Sequence, residues 1–462
     1  MSETTATEHD TSLRGATAGS TRKGGTSPRG PRGIPFIGNT VDLLADPLAF
    51  LTRISRRYGD VVRFGLPGQN VYLLNHPDAI EETLKASGED LTKDDFTQRL
   101  SVAVGRGLLT SDGEFWRRQR KLAQPAFHHH RVRAYGEVMV RHAEGAVARF
   151  RHGETRDIHE DMMRLTLDIV AETLFGADVG GAAHRIGSAL EALMDRFAGY
   201  EAILPAWLPT PGNRRIARAL KSMDEVVYGI IQQRRSEPDR GDLLSMLLAA
   251  TTEEGGGMSD RQLRDEVVTL LLAGHETTAL ALTFGFQLLA RNLGALEKLS
   301  EEVTGVLGGR SPTFEDLPRL PYADAVVRET LRLYPPAWAI GREAARPCRI
   351  ADLDLVPGDQ LWLAQWVVHR DARWFPEPEA FEPARWRGEL VKRLPRFAYF
   401  PFGGGPRICI GNAFAMMEAV LLLATIVQRV HLFTDDRKPP KLAPSVTLRP
   451  SGPVRMRVAT RA

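Results

Sequence analysis

The sequence predicts a mainly α protein with a small β region. The stretch 132–235 follows a helical pattern almost throughout, and 259–291 forms the longest helical run, apolar through its middle. Strand-like alternation is confined to short pieces near either end of the chain. With 462 residues, 43% hydrophobic and 25% charged, the chain is globular and long enough for one large or two ordinary cores. Sixty basic against 57 acidic residues leave a net charge of +3, too small to indicate a nucleic-acid binder. Two cysteines exclude a disulfide framework.

Residues 1–30 are rich in Ser, Thr, Gly and Arg and read as a disordered tail, with neither a secretory signal nor an N-terminal membrane anchor. A stiff entry, Pro31 to Gly38, leads into the folded part, expected to be one domain over 31–462. Pro47 to Tyr58 is helical, with Phe50, Leu51 and Ile54 on one face. Val61 to Phe64 and Val71 to Leu74 read as strands joined by a turn at Pro67-Gly68, and Asn75-His76-Pro77 opens another helix. From Ser87 to Asp112 no period is clean, which indicates a long loop with a short helix.

The helix from Glu114 to Phe127 carries Trp116 and Arg120 four residues apart, hence on one face. Its Arg117, Arg118 and Lys121 form a basic patch. The run His128 to His130 is no metal site, because consecutive helical residues do not share a face. Leu165 to Phe175 is a core helix. Pro205, Pro209 and Pro211 then break the pattern around an apolar loop with Tyr200, Ile203, Leu204 and Trp207.

Ser259 and Gln262 form a capping-box pair at the start of the long helix, with Met258 and Leu263 as its hydrophobic staple. At 1.5 Å per residue this helix is on the order of 50 Å long, enough to cross the molecule. Ala273-Gly274-His275-Glu276-Thr277-Thr278 interrupts its apolar middle, and such a polar centre is too costly for a membrane span. Gly274 lets the helix distort, while Glu276 and Thr277 place an acid and an alcohol in a dry setting, suited to moving protons.

Glu329 and Arg332, three apart on a helix, can pair, and Arg385 in Phe381-Glu-Pro-Ala-Arg-Trp386 offers a second cation. Gly341-Arg342-Glu343 and Leu361 to Val367 read as strands, and Leu442 to Ala459 as a closing hairpin. His369-Arg-Asp matches a kinase triplet without the asparagine and glycine-rich loop that would support it.

Pro401 to Glu418 holds Cys409 among Gly403, Gly404, Gly405 and Gly411, followed at once by an apolar helix. The glycines allow a flat group to approach the backbone, and the helix start is expected to lower the thiol pKa. The run is not a dinucleotide fingerprint, since its third position is Ile408 and Pro406 interrupts the turn. With no second cysteine nearby it is no zinc or iron–sulfur site by itself, which leaves a single-thiolate metal site, set against an inert buried cysteine.

The phrase Phe402-x-x-Gly405-x-Arg407-x-Cys409-x-Gly411 resembles the haem-binding loop of the cytochrome P-450 family, and Ala273 to Thr278, Glu329-x-x-Arg332 and Trp116-x-x-x-Arg120 resemble further signatures in the same order. Within the family the chain looks most like soluble bacterial fatty-acid hydroxylase haem domains and microsomal-type enzymes. The resemblance implies a long central helix over haem b (iron protoporphyrin IX) ligated by Cys409. It implies propionate contacts from Trp116, Arg120, Arg342 and Arg407, a cofactor surface from Phe402, Gly405, Gly411, Ala273 and Gly274, and a structural network of Glu329, Arg332 and Arg385. Glu276 and Thr277 become the expected catalytic pair, delivering protons to bound O₂.

The implied reaction inserts one oxygen atom from O₂ into a hydrophobic small molecule such as a fatty acid, terpenoid or polyketide, by hydroxylation or epoxidation. A thiolate-haem peroxygenase or isomerase, or a non-catalytic haem sensor, are the alternatives. The chain ends after the haem region, so electrons are expected from a separate ferredoxin or flavodoxin with its NAD(P)H-dependent reductase, in the cytoplasm, with the basic patch suited to an acidic partner. The pocket lids are expected around Phe96, Leu100, Leu108, Leu109, Phe197, Ile203 and Trp207.

Overall fold

The computed structural model describes residues 28–176, 189, 208, 210–238, 240, 242–249, 257–436 and 438–461. The loop residues Phe197, Tyr200, Ile203, Leu204 and Trp207, and most of the tail, lie outside the described residues.

The principal helices are α1 (Pro47–Tyr58), α2 (Pro77–Lys85), α3 (Gly113–Ala123), α4 (His129–Val147), α5 (Ile158–Phe175), α6 (Pro211–Arg235), α7 (Leu243–Ala249), α8 (Asp260–Arg291), α9 (Leu293–Leu307), α10 (Pro321–Leu333) and α11 (Asn412–Arg429). They pack around α8, which lies mainly against α5 and is buried on nearly all sides. Ser259 and Gln262 form the expected reciprocal capping box at its start, and Leu263 is fully buried beside it. By length and composition α8 and α11 could each cross a membrane, yet most of the apolar window of each is buried inside the protein. In α1, Asp46 accepts a hydrogen bond from the Ala49 amide at 2.9 Å, and Phe50, Leu51 and Ile54 enter the core together.

A five-stranded sheet forms the main β region. Val61–Leu66 pairs antiparallel with Gln69–Leu74, which pairs parallel with Gln360–Leu363; Ile340–Ala344 and Leu91–Lys93 complete it. The first two strands are longer than their apolar cores suggest and meet at the expected Pro67-Gly68 turn.

The structure corrects five readings. The segment 87–112 contains a strand, Leu91–Lys93, and two short helices, Asp95–Arg99 and Ser101–Val104; three residues are too few to show a period. The helical region after 132 is interrupted between α4 and α5 by Gly153, at a φ of 81°, and by a strand, Thr155–Asp157. The alternation from 361 to 367 is a strand only to Leu363, after which Gln365–Val368 is a helical turn. The expected closing hairpin divides: Leu442–Pro444 pairs with Leu448–Pro450, but Arg455–Thr460 pairs with Thr155–Asp157 and Val430–Phe433. Finally, α3 stops at Ala123 and continues as a 3-10 turn to Phe127, where Pro125 supplies no amide donor.

Candidate active site

Cys409 lies at the end of the glycine loop, just before α11, with its amide donating to Phe402 O at 3.0 Å. Gly405 has a φ of 64°, and a Cβ there would stand 2.1 Å from Leu84 O, so the loop is pressed against the end of α2. The sulfur-bearing residue presents surface although it is deep in the molecule, because it borders an internal gap. In the otherwise buried middle of α8, Ala273 is exposed and Gly274 and Thr277 are half-exposed. A thiol and a stretch of helix with small side chains, both presenting surface deep in the molecule, suit a flat metal-bearing group. Among the described residues no cluster of three or more His, Cys, Asp or Glu could hold a metal instead.

The thiol electrostatics differ from the sequence expectation. Burial pushes the Cys409 pKa up; a hydrogen bond from the Gly411 backbone and the charge of Arg120 oppose this without overcoming it. The helix start therefore acts in the expected direction but does not by itself hold a thiolate. A cation at the sulfur would reverse the balance.

Trp116 is buried, with the Arg407 guanidinium 4.0 Å from its ring centroid. Arg407 also donates to Ser111 O at 2.6 Å and pairs with Asp112, while its buried Nη1 has no hydrogen-bond acceptor among the described residues. Arg120, one turn on from Trp116, donates to Ile408 O at 2.7 Å and so braces the cysteine loop. Arg342 is buried, donating to Ser87 Oγ at 2.8 Å, and burial lowers both it and Arg407 to about 10. Lys93, which sequence reasoning missed, joins them: burial, then the charges of Arg342 and Arg407, push its pKa well down. Asp94 and Asp112 offset these three cations only in part, which leaves room for a further anion.

Glu276 is placed differently from Thr277. The Thr277 hydroxyl donates to Ala273 O at 2.8 Å beside the gap, whereas Glu276 is fully buried and receives Arg449 Nε at 2.6 Å and the Thr447 hydroxyl. Burial alone would raise this carboxyl; Arg449 and Thr447 outweigh it and hold the pKa below the usual range. Glu276 is thus an ionised acceptor, and its partners, from a hairpin near the C-terminus, had no signal in sequence.

Glu329 and Arg332 form two 2.9 Å hydrogen bonds with neither side chain exposed. Arg385 Nε at 2.9 Å and Trp386 Nε1 at 2.8 Å complete the carboxylate, and Arg332 also donates to His369 O and Ala380 O, each at 2.9 Å. Trp386 was not foreseen as a member.

A cavity of about 1810 Å³ opens beside the sheet, with Leu100, Leu109, Trp338 and Trp362 in its wall and Phe96 at its side. Lys93 and Arg342 also line it, linking it to the cation cluster; Leu108 does not. A smaller cleft of about 350 Å³ on the α3 side is bordered by Arg117, Lys121 and His128.

The sequence profile of the cytochrome P450 family matches residues 28–458. The chain belongs to the cytochrome P450 family. Its P450 relatives include cyclooctatin synthase of Streptomyces melanosporofaciens, 38% identical over 92% of this chain and 94% of the relative. Cyclooctat-9-en-7-ol 5-monooxygenase of the same organism is 36% identical over 88% and 90%, and pentalenene oxygenase of Streptomyces avermitilis 32% over 89% and 93%. This P450 is accordingly a haem-iron monooxygenase, an oxidoreductase, with the mainly α architecture and small sheets of its family.

Proposed function

We propose that this P450 oxygenates a terpenoid, with Cys409 as the axial ligand of haem b. The observation that carries the site assignment is the surface presented by Cys409 and, in the otherwise buried middle of α8, by Ala273, Gly274 and Thr277. Arg342, Arg407 and Lys93, with Trp116 and Arg120 around them, would hold the two propionates, for which a cluster of three cations only partly offset by Asp94 and Asp112 is suited. Phe402, Gly405 and Gly411 would form the near face. When bound, the haem supplies oxygen activation by its thiolate-ligated iron. The chain's own residues orient the substrate, exclude water and handle protons: the Thr277 hydroxyl passes a proton at its Oγ1, and Glu276, held ionised by Arg449, places a negative charge beside it.

The terpenoid class is supported by the relatives' names, two of which specify oxygenation of pentalenene and cyclooctat-9-en-7-ol. Electrons would arrive from a cytoplasmic ferredoxin or flavodoxin with its reductase, docking at the basic cleft by α3.

The test is the reduced, CO-bound difference spectrum of wild type and Cys409→Ser. A strongly red-shifted Soret band lost in the variant is expected; a histidine-type band in wild type overturns the assignment. Titrating pentalenene and a saturated fatty acid against the Soret band then separates substrate classes, a response to the fatty acid alone overturning the terpenoid reading.

A further inference from the structure

Two buried acids flank the Ala273 to Thr278 turn, and only one has been given a role. Glu276 receives two donors, both at its Oε1. Glu418, on the face of α11 turned to α8, is wholly buried, and neither of its oxygens has a hydrogen-bond partner among the described residues. The polar side chain acting on it is Thr278, whose hydroxyl lies close enough to favour the charged form but not in good bonding geometry. That hydroxyl has one other contact, a long 3.4 Å bond to Gly274 O, whereas the neighbouring Thr277 reaches Ala273 O at 2.8 Å. Beyond the backbone bond it makes within the helix, the Gly274 carbonyl therefore carries only a weak side-chain hydrogen bond.

A carboxylate without donors in an apolar interior is unfavourable, so Glu418 keeps its proton. Burial raises its pKa to about 8, and the Thr278 hydroxyl opposes the shift. No charge enters this balance: Tyr135 on α4, His275 and Glu276 on α8, Glu329 and Arg332 on α10, Asp316 and His431, all on elements packed against α11, contribute nothing to it.

We propose that Glu418 is a positioning residue whose protonation decides which way the Thr278 hydroxyl points, and through it whether the Gly274 carbonyl accepts a second hydrogen bond besides its helical one. As an acid, Glu418 donates its O–H to Thr278 Oγ1, and the Thr278 proton is directed to Gly274 O. As a carboxylate, it accepts the Thr278 proton, and the Gly274 carbonyl is left with its helical bond alone. The proton on Glu418 is exchanged with solvent, and no other bond changes. The effect on the haem environment rests on the P450 site assigned above; the carboxyl chemistry does not.

The test uses infrared difference spectra of the holoenzyme between pH 6 and pH 9.5, in wild type and Glu418→Gln. A protonated-carboxyl C=O band belonging to Glu418 is expected at pH 7 and loses about nine-tenths of its intensity by pH 9, as a pKa near 8 requires. The band is absent in Glu418→Gln, whose amide mimics the protonated donor. The Soret band of wild type is expected to shift with the same midpoint, and that of Glu418→Gln to stay at the neutral-pH position throughout. Haem content and the CO difference spectrum verify that the variant is folded. Absence of the infrared band at pH 7, or an identical Soret titration in the variant, overturns the proposal. Loss of the red-shifted CO band in wild type would instead overturn the site assignment, leaving the infrared result readable by itself.

Discussion

Arg449 reaches 173 residues back along the chain to place its Nε 2.6 Å from Glu276, inside a helix otherwise lined by apolar neighbours. Removing the cation leaves a buried carboxylate with a single hydroxyl donor. Arg449→Met is expected to destabilise the protein by about 3–5 kcal/mol at neutral pH, as for a broken buried ion pair. The pH dependence reverses as well. In wild type the depressed Glu276 pKa gives stability that is present above the ordinary carboxyl range near 4.5 and lost as pH falls through the folded value. In the variant burial acts unopposed by Arg449, and stability is lost as pH rises. Urea unfolding at pH 4 and pH 7 distinguishes the two.

Glu266 on α8 accepts the Leu108 amide at 3.1 Å, and burial raises its pKa to about 8. A carboxyl raised in the folded state binds more protons there than when unfolded. Its effect is absent well below pH 4.5, and it destabilises progressively up to about pH 8. Glu266→Gln keeps an acceptor for Leu108 and removes the charge. The expected result is a gain of a few kcal/mol over wild type at pH 9 and little change at pH 5, measured by denaturant midpoints.

Glu329→Gln removes charge from a site where Arg332 and Arg385 remain buried. The expected loss is about 3–5 kcal/mol, with haem incorporation falling in proportion to folded protein. Differential scanning calorimetry with haem quantification checks it.

Lys93→Met separates the apoprotein from the holoprotein. Without an anion, Lys93 is repelled by Arg342 and Arg407, so the variant apoprotein is expected to be more stable by about 1–4 kcal/mol. With haem the order inverts, because a cation facing the propionates is lost. Thermal midpoints of both forms and the haem dissociation rate give the answer.

Gly405→Ala adds a Cβ 2.1 Å from Leu84 O at a φ of 64°. Left-handed backbone costs an alanine about 1–2 kcal/mol, and the clash is with main chain that cannot swing away. Expression is expected to yield protein with depleted haem, while Gly411→Ala, whose added atom meets only Phe127 at 3.6 Å, retains it.

The parts of the site legible in sequence are those contiguous along the chain. Cys409 and its glycines, the Ala273 to Thr278 turn and the i, i+3 pair Glu329 and Arg332 fall within single turns or loops, where spacing determines which side chains share a face. Lys93, Trp386, Thr447 and Arg449 were missed because each is recruited by tertiary pairing. Lys93 ends a three-residue strand opposite Arg342, and Thr447 and Arg449 lie at and within the second strand of a short hairpin. The thiol expectation failed in net direction for a related reason: a helix start is visible in sequence, but the desolvation that outweighs it is not. The fold shows the same division, with long helices found by periodicity and short strands extended or cut by their partners.

In the main sheet Asn70 Nδ2 meets Asp359 Oδ1 at 3.1 Å across 289 residues of sequence, alongside the parallel pairing of Val71–Leu74 with Gln360–Leu363. During synthesis the first two strands leave the ribosome long before the strand that covers them. At about 5–20 residues per second the nascent hairpin waits roughly 15–60 seconds with an open, apolar edge. Slower growth would lengthen that interval and chaperone supply would shield it. Recovery of soluble protein is therefore governed by how the N-terminal fifth of the chain is sheltered while the rest is made.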